Sequence, residues 1–192
     1  SQKSNKEELL TKLKNFLYLL YLKIDNAYYG QKNDPLSSSD LSYLLEEVPS
    51  LRIKPKQTKF SDYFSKEQID LVKKENLDII LRLGFRILRG DILTSAKYGV
   101  WSFHHGDNNR YRGGPAGFWE MQNSDPVTGA VLQRLNEELD NGDVLYRSWS
   151  STDQASLRRG KNANYAKSAK FVIRTIEKLE KNTLQEIFEK PE

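Results

Sequence analysis

Apolar positions along the chain change period several times, and each change marks an element. Between Asn5 and Tyr29, the residues Leu9, Leu13, Phe16, Leu17, Leu20 and Ile24 recur at helical spacing. This predicts one long packing helix with Asn5 and Glu8 as a capping pair. Tyr18, Tyr21 and Tyr28 widen its apolar face. Gly30 to Ser39 reads as a loop, and Asp40 to Val48 as a short helical turn stopped by Pro49. Leu51 to Ile53 predicts a short strand, and Pro55 to Phe60 a connector. Ser65 is placed to cap a helix that runs to about Glu75, with Asn76 suited to its end. Leu77 to Phe85 (LDIILRLGF) is almost continuously apolar, as in a strand covered on both faces.

Further along, Asp91 to Ser95 predicts a short helix or turn, and the alternation of Gly99 to His104 a strand. Gly114 to Gln122 reads as a helix. Thr128 to Leu135 and Val144 to Trp149 read as strands, the second antiparallel to the first across the turn between them. Asn164 to Leu179 and Thr183 to Phe188 read as helices, with Ala166, Ala169, Ile173 and Ile176 on one face. Helices alternating with apolar strands imply an α/β fold. The expected organisation is an N-terminal helical segment over residues 1–50, packed on a domain spanning 51–192.

Composition narrows the chemistry. A chain of 192 residues can bury a core as one domain. Thirty Lys and Arg against 26 Asp and Glu give a net charge of +4. So small and interspersed an excess suits an enzyme with an anionic substrate and does not call for nucleic acid. The absence of cysteine excludes disulfides and thiolate catalysis. The longest apolar run near the start, Phe16 to Leu22, is too short to span a bilayer, and no secretory pattern precedes it. A cytoplasmic location is expected, with no metal site. The only two histidines, His104 and His105, are adjacent. They are the first candidates for a proton-handling group near neutral pH.

Three short motifs surround them in order: GFRIL from Gly84, WSFHHGDNNRYRGG from Trp101, and ELDNGD from Glu138. Each alone has an ordinary explanation. Gly84 fits a packing glycine, His104 a satisfied core histidine, Arg110 to Gly114 a basic loop, and Asp140 to Asp143 a plain turn. Their order along alternating strands changes the weight. Gly84 ends one predicted strand, His104 ends the next, and Asp140 precedes a third. Ligand sites in open α/β sheets lie at the carboxyl ends of strands, so the three are expected to meet in one crevice.

With TGAVLQRLNEELDNGDVL following, these motifs resemble the catalytic domain of the 10-formyltetrahydrofolate-dependent formyltransferases over roughly Phe60 to Trp149. The resemblance implies a Rossmann-like α/β fold, with a mostly parallel sheet flanked by helices. It also implies that the family's first βαβ unit is missing here and belongs to a preceding part of a longer protein. Formyl transfer from 10-formyltetrahydrofolate to a primary amine is the implied reaction. The acceptor is a small molecule such as an amino sugar or nucleotide-linked amine, or an aminoacyl group.

The family's catalytic trio is Asn, His and Asp. By resemblance, His104 and Asp140 match two of them, and Ser102 stands where the asparagine would donate a hydrogen bond to the formyl oxygen. Backbone groups of Arg86, Ile87 and Leu88 match the segment that holds the pterin. Tyr111, Arg112 and Gly113 match a substrate-binding segment, and Thr128-Gly129 a further family position. Ser102 leaves three outcomes open: a slower enzyme, a repositioned substrate, or a non-catalytic folate-type domain used for binding or as a scaffold. A formyl-folate hydrolase is a related alternative. Arg110 and Arg147 read as solvated loop charges, while Arg112 is placed to meet phosphate or the folate tail. Asp107 reads as a loop cap, and Trp101 and Trp119 as core or pocket wall. The apolar N-terminal helix would suit a homodimer interface.

Overall fold

A computed structural model describes residues 2–30, 34, 37–138 and 142–181. Two sheets carry the fold. The smaller joins β1 (Lys56–Gln57), β2 (Ser61–Tyr63) and β4 (Ile87–Arg89) in the order β1-β2-β4. The larger joins β3 (Ile80–Arg82), β5 (Val100–His104), β6 (Val127–Arg134) and β7 (Asp143–Ser151) in the order β3-β5-β6-β7. The α/β class is as the sequence implies, but the sheets are mixed rather than mostly parallel. Among the described residues, only β2–β4 and β3–β5 pair in parallel, while β1–β2, β5–β6 and β6–β7 are antiparallel. The short link from β1 to β2 suits antiparallel pairing, whereas β5 and β6 pair antiparallel across a longer connection, residues 105–126, that carries α4.

Helices cover both faces of the larger sheet. Adjacent residues of β5 face opposite ways, so Val100 and Trp101 enter different cores. Val100 packs with Ile69 of α3 (Lys66–Lys74), Leu88, and Ile92 and Leu93 of the 3-10 turn Asp91–Thr94. Trp101 packs with Ala130, Leu132, Leu145 and Phe171. The last of these opens a helix at the C-terminal end of the described chain. The run expected as one helix from Asn164 to Leu179 is two, α5 (Leu157–Ser168) and α6 (Phe171–Glu180). On α6 the fully buried residues are Phe171 and Thr175, whereas Ile173 is 62% exposed. The helix predicted from Thr183 to Phe188 lies outside the described residues.

Where local signals are self-contained, prediction and structure agree. Ser65 caps α3 through a complete capping box with Gln68, and Asn76 takes the left-handed conformation (φ 48°) just past its end. Elsewhere the structure corrects the reading. No strand forms at Leu51 to Ile53; β1 lies in the supposed connector instead. The helix before Gln122 is only Phe118–Gln122 (α4), because Gly117 adopts φ 73° and precedes it as a left-handed turn.

The first helix, α1 (Gln2–Tyr29), starts ahead of Asn5, so Asn5 is not at a cap. Its expected packing face is exposed: Leu9, Leu13, Phe16, Leu17, Leu20 and Ile24 are all more than two-fifths accessible. The helix docks instead through Tyr21, whose hydroxyl accepts from the Leu157 amide, and through buried Asp25, which accepts from the Arg158 amide. Both bonds satisfy N–H groups of the first turn of α5. The helix α2 (Ser42–Leu45) has no buried residue.

Strand β3 also departs from expectation. The apolar run predicted a strand covered on both sides, yet only three residues pair, and only with β5. Leu81, Leu83 and Phe85 are 37%, 64% and 42% exposed. Among the described residues, β3 is an edge strand. No helix among the described residues is long and apolar enough to cross a membrane.

Candidate active site

β3 and β5 pair in parallel and end side by side. Ser102 and His104, two residues apart on β5, share a face. Both are buried, at 2% and 9% exposure. The chain then makes a tight loop. The amides of Arg110 and Tyr111 both bond to the Asp107 carbonyl, and Asp107 Oδ1 accepts from the Asn109 amide at 3.0 Å. Asp107 is therefore the loop cap that the sequence indicated. This turn carries the Tyr111 carbonyl to 2.9 Å from His104 Nε2. A carbonyl only accepts, so Nε2 carries the hydrogen.

Two glycines let this loop close. A Cβ at Gly129 would lie 3.0 Å from the Trp149 ring and 3.1 Å from the Asp107 backbone. Only a glycine on β6 admits the loop so near, which gives the Thr128-Gly129 position its physical reason. A Cβ at Gly106 would lie 3.2 Å from His104 Nε2, 3.4 Å from the Tyr111 carbonyl oxygen and 3.5 Å from Glu120 Oε1.

That last atom belongs to a residue the sequence reading did not single out. Glu120 on α4 is 1% exposed, and its Oε1 has no hydrogen-bond partner among the described residues. Burial pushes its carboxyl above the ordinary value, opposed by bonds from its own and the Asp107 amide and by the nearby His104. Its sequence signal was an acid inside an apolar helical segment, Phe118-Trp119-Glu120-Met121.

His105 points to the other face of β5. Its ring stacks on Tyr165 at 3.8 Å and 8°, and lies 5.8 Å from Phe103. Ser168 Oγ donates to the Tyr165 carbonyl, so it accepts from His105 Nε2 at 2.9 Å. Burial, then repulsion by His104 and Lys161, lowers its pKa to about 4. His105 is a neutral packing group at physiological pH.

A second unforeseen residue sits beside Ser102. Arg82 on β3 is its cross-strand partner, and Arg82 Nη1 donates to Ser102 Oγ at 3.0 Å. The same guanidinium donates through Nε to the Arg86 carbonyl at 3.1 Å, and through Nη2 to the Phe85 carbonyl. Its sequence signal was the one basic residue in LDIILRLGF.

The expected pterin-binding segment is partly engaged. Arg86 N–H bonds to Asp62 Oδ2 at 2.9 Å and Ile87 N–H to the Phe60 carbonyl at 3.1 Å. Along a strand, alternate residues direct their backbone groups to opposite edges. Ile87 faces β2, so Leu88 presents its N–H and C=O to the other edge of β4, which pairs with no described strand. Arg112 Nε bonds to the Asn108 carbonyl at 3.0 Å, Gly113 adopts φ 99°, and the Tyr111 hydroxyl donates to Asp125 at 3.0 Å. Arg110 also pairs with Asp125, and Arg147 donates to Asn108 Oδ1 at 2.7 Å. Arg147 is thus a half-buried strand residue bracing the loop, rather than a solvated loop charge. Trp101 is core, while Trp119 is 42% exposed. Asp140 lies outside the described residues.

The chain is similar to known proteins in sequence and in fold. No family model matches the chain. A methionyl-tRNA formyltransferase of Prochlorococcus marinus is 27% identical over 135 residues, covering 69% of this chain and 40% of that protein. One from Agathobacter rectalis is 35% identical over 81 residues, covering 42% of this chain and 26% of the relative. The chain is similar in sequence to these methionyl-tRNA formyltransferases. The phosphoribosylglycinamide formyltransferase of Campylobacter jejuni superposes with a TM-score of 0.52 at 15% identity, covering 58% of this chain and 59% of that one. At that identity the likeness speaks for a formyltransferase fold alone. The matches span well under half the length of these two curated relatives.

Proposed function

We propose that the protein transfers a formyl group from 10-formyltetrahydrofolate to a primary amine. The supporting observation is His104, buried at the carboxyl end of β5 with its Nε2–H committed to the Tyr111 carbonyl. That bond helps to fix the ring.

The chemistry needs little else from the chain. The acceptor nitrogen's lone pair forms a C–N bond to the formyl carbon, and the carbonyl π pair moves onto oxygen. The C–N bond to the folate then breaks, and its electron pair leaves with the folate nitrogen. One proton lost by the acceptor amine must reach that nitrogen. His104 is the group placed to carry it, a role worth about 10²–10⁴ in rate. In this reading Ser102 donates to the oxyanion. Asp140 is assigned by resemblance to orient the imidazole.

The residues present fit a pterin at the free edge of β4. The backbone pair of Leu88 has the donor and acceptor that a pterin edge requires, whereas the amides of Arg86 and Ile87 already serve Asp62 and Phe60. Tyr111, Arg112 and Gly113 border the acceptor side, where an amino sugar, a nucleotide-linked amine or an aminoacyl group would be held.

Isothermal titration of a stable dideaza analogue of 10-formyltetrahydrofolate into the protein tests this, with His104→Ala as the control. Micromolar or tighter binding by both, with transfer lost only in the variant, is expected. Binding without transfer in the wild type would instead support a scaffold domain. No binding by the well-folded protein would sink the folate reading.

A further inference from the structure

We propose that Arg82 is a positioning residue that makes Ser102 an effective oxyanion donor, so that an Arg-Ser pair takes the place of the family's asparagine. The inference rests on the formyl-transfer reading and goes beyond it. A serine hydroxyl alone is a modest replacement for an asparagine amide: it has one hydrogen, a shorter reach and free rotation about its C–O bond. Three observations show how this chain restrains it.

First, Ser102 Oγ accepts from Arg82 Nη1 at 3.0 Å. A hydroxyl that accepts from a cation becomes a stronger donor, because the incoming bond withdraws charge from its oxygen. With Ser102 only 2% exposed, little water screens the effect.

Second, the hydroxyl hydrogen is not strongly held elsewhere. Its protein acceptor is the Phe103 carbonyl at 3.5 Å, beyond the usual O–H···O range. On the other side of Ser102, cross-strand Gln133 is 1% exposed, yet its Oε1 has no partner among the described residues. That acceptor therefore does not take the serine hydrogen. An oxygen arriving in the crevice competes against one long bond.

Third, Arg82 is itself fixed. The planar fork reaches Ser102 and the Phe85 and Arg86 carbonyls at once. The bond to Ser102 therefore comes preorganised, as electrostatic stabilisation of a transition state requires. The fork also ties the oxyanion donor to the loop leading into β4.

The test is a double-mutant cycle on Arg82→Ala and Ser102→Asn, with Arg82→Lys beside it. The assay follows tetrahydrofolate release from 10-formyltetrahydrofolate, with hydroxylamine as a surrogate amine acceptor. Arg82→Ala should lower kcat by about 10²–10³, the usual cost of one oxyanion donor, while KM for the folate changes by less than about threefold. Arg82→Lys keeps the charge but loses the fork, and should fall between. Ser102→Asn alone should give no gain, because the larger side chain meets the guanidinium. Combined with Arg82→Ala it should recover at least tenfold over Arg82→Ala, by restoring the family's arrangement.

A purely structural Arg82 would predict something different: KM and thermal midpoint moving together, with no recovery in the double variant. That result would overturn the proposal, as would an Arg82→Ala enzyme with unchanged kcat. No transfer by the wild type would bring down the formyl-transfer reading itself, an outcome distinct from active wild type with indifferent Arg82.

Discussion

The two faces of β5 end in the same side chain with opposite surroundings. On one face His104 has polar neighbours: the Tyr111 carbonyl at 2.9 Å, and Glu120, whose Oε1 would meet the same Cβ at Gly106 as His104 Nε2. On the other, His105 lies between aromatic rings and gives its hydrogen to Ser168. One imidazole has polar neighbours, and the other sits in an environment that disfavours charge. The two residues have the same composition and are adjacent, so the difference comes wholly from which face of the strand each one meets.

The largest expected effect separates the two directly. His104→Ala should lower formyl transfer by at least about 10²-fold, in line with loss of a general acid–base. Folate-analogue affinity should change little. His105→Phe keeps an aromatic ring in the stack and should stay within about threefold of wild-type turnover, because His105 takes no part in the chemistry. Steady-state kinetics of both variants with 10-formyltetrahydrofolate decides it. Equal losses would mean that the faces are not functionally distinct.

This contrast was only half legible in the sequence. Motif order placed His104 at a strand end, while both histidines stood as candidates for handling a proton. Ser65 and Asn76 were readable because a helix cap is made by residues three or four apart. Other features needed partners distant in sequence. The packing face of α1 was misread since α5, more than a hundred residues on, decides which side is covered through Tyr21 and Asp25. The apolar run around β3 looked doubly buried because hydrophobicity records what a strand can cover. Which edges are paired is a separate matter. Arg82 and Glu120 were visible as charges in apolar runs, but their meaning depends on Ser102 across a ladder and on His104 across a loop.

A smaller effect is expected from Glu120→Gln. The substitution keeps the size and an acceptor oxygen for the Asp107 amide but removes the charge. A carboxylate near His104 favours the protonated imidazole, so its removal should shift the acid limb of the pH–rate profile to lower pH. The shift should be less than about one unit, since the two groups share no hydrogen bond. Stability at neutral pH should hold or rise slightly, because burial already disfavours the ionised carboxyl. A full pH–rate profile of the variant is the measurement. An acid limb that does not move would remove Glu120 from the proton-handling face.

The smallest effect lies on the packing face and is read in stability rather than rate. His105 has a folded-state pKa of about 4 against an ordinary 6.5. Between those values the unfolded chain binds a proton that the folded chain refuses, so stability rises with pH across the window. The contribution is fully present above about pH 6.5 and is lost as pH falls through the window towards about 4. At about pH 5 the loss should be about 1–2 kcal/mol. Removing the imidazole removes the proton that drives it. His105→Phe should therefore flatten the dependence, at the cost of the Ser168 hydrogen bond, about 1 kcal/mol at neutral pH. Urea unfolding of wild type and variant at about pH 7.5 and about pH 5 compares the two slopes. Identical slopes would place the acid-labile group elsewhere and leave the neutrality of the packing face unsupported. A flatter slope in the variant would tie it to this one ring.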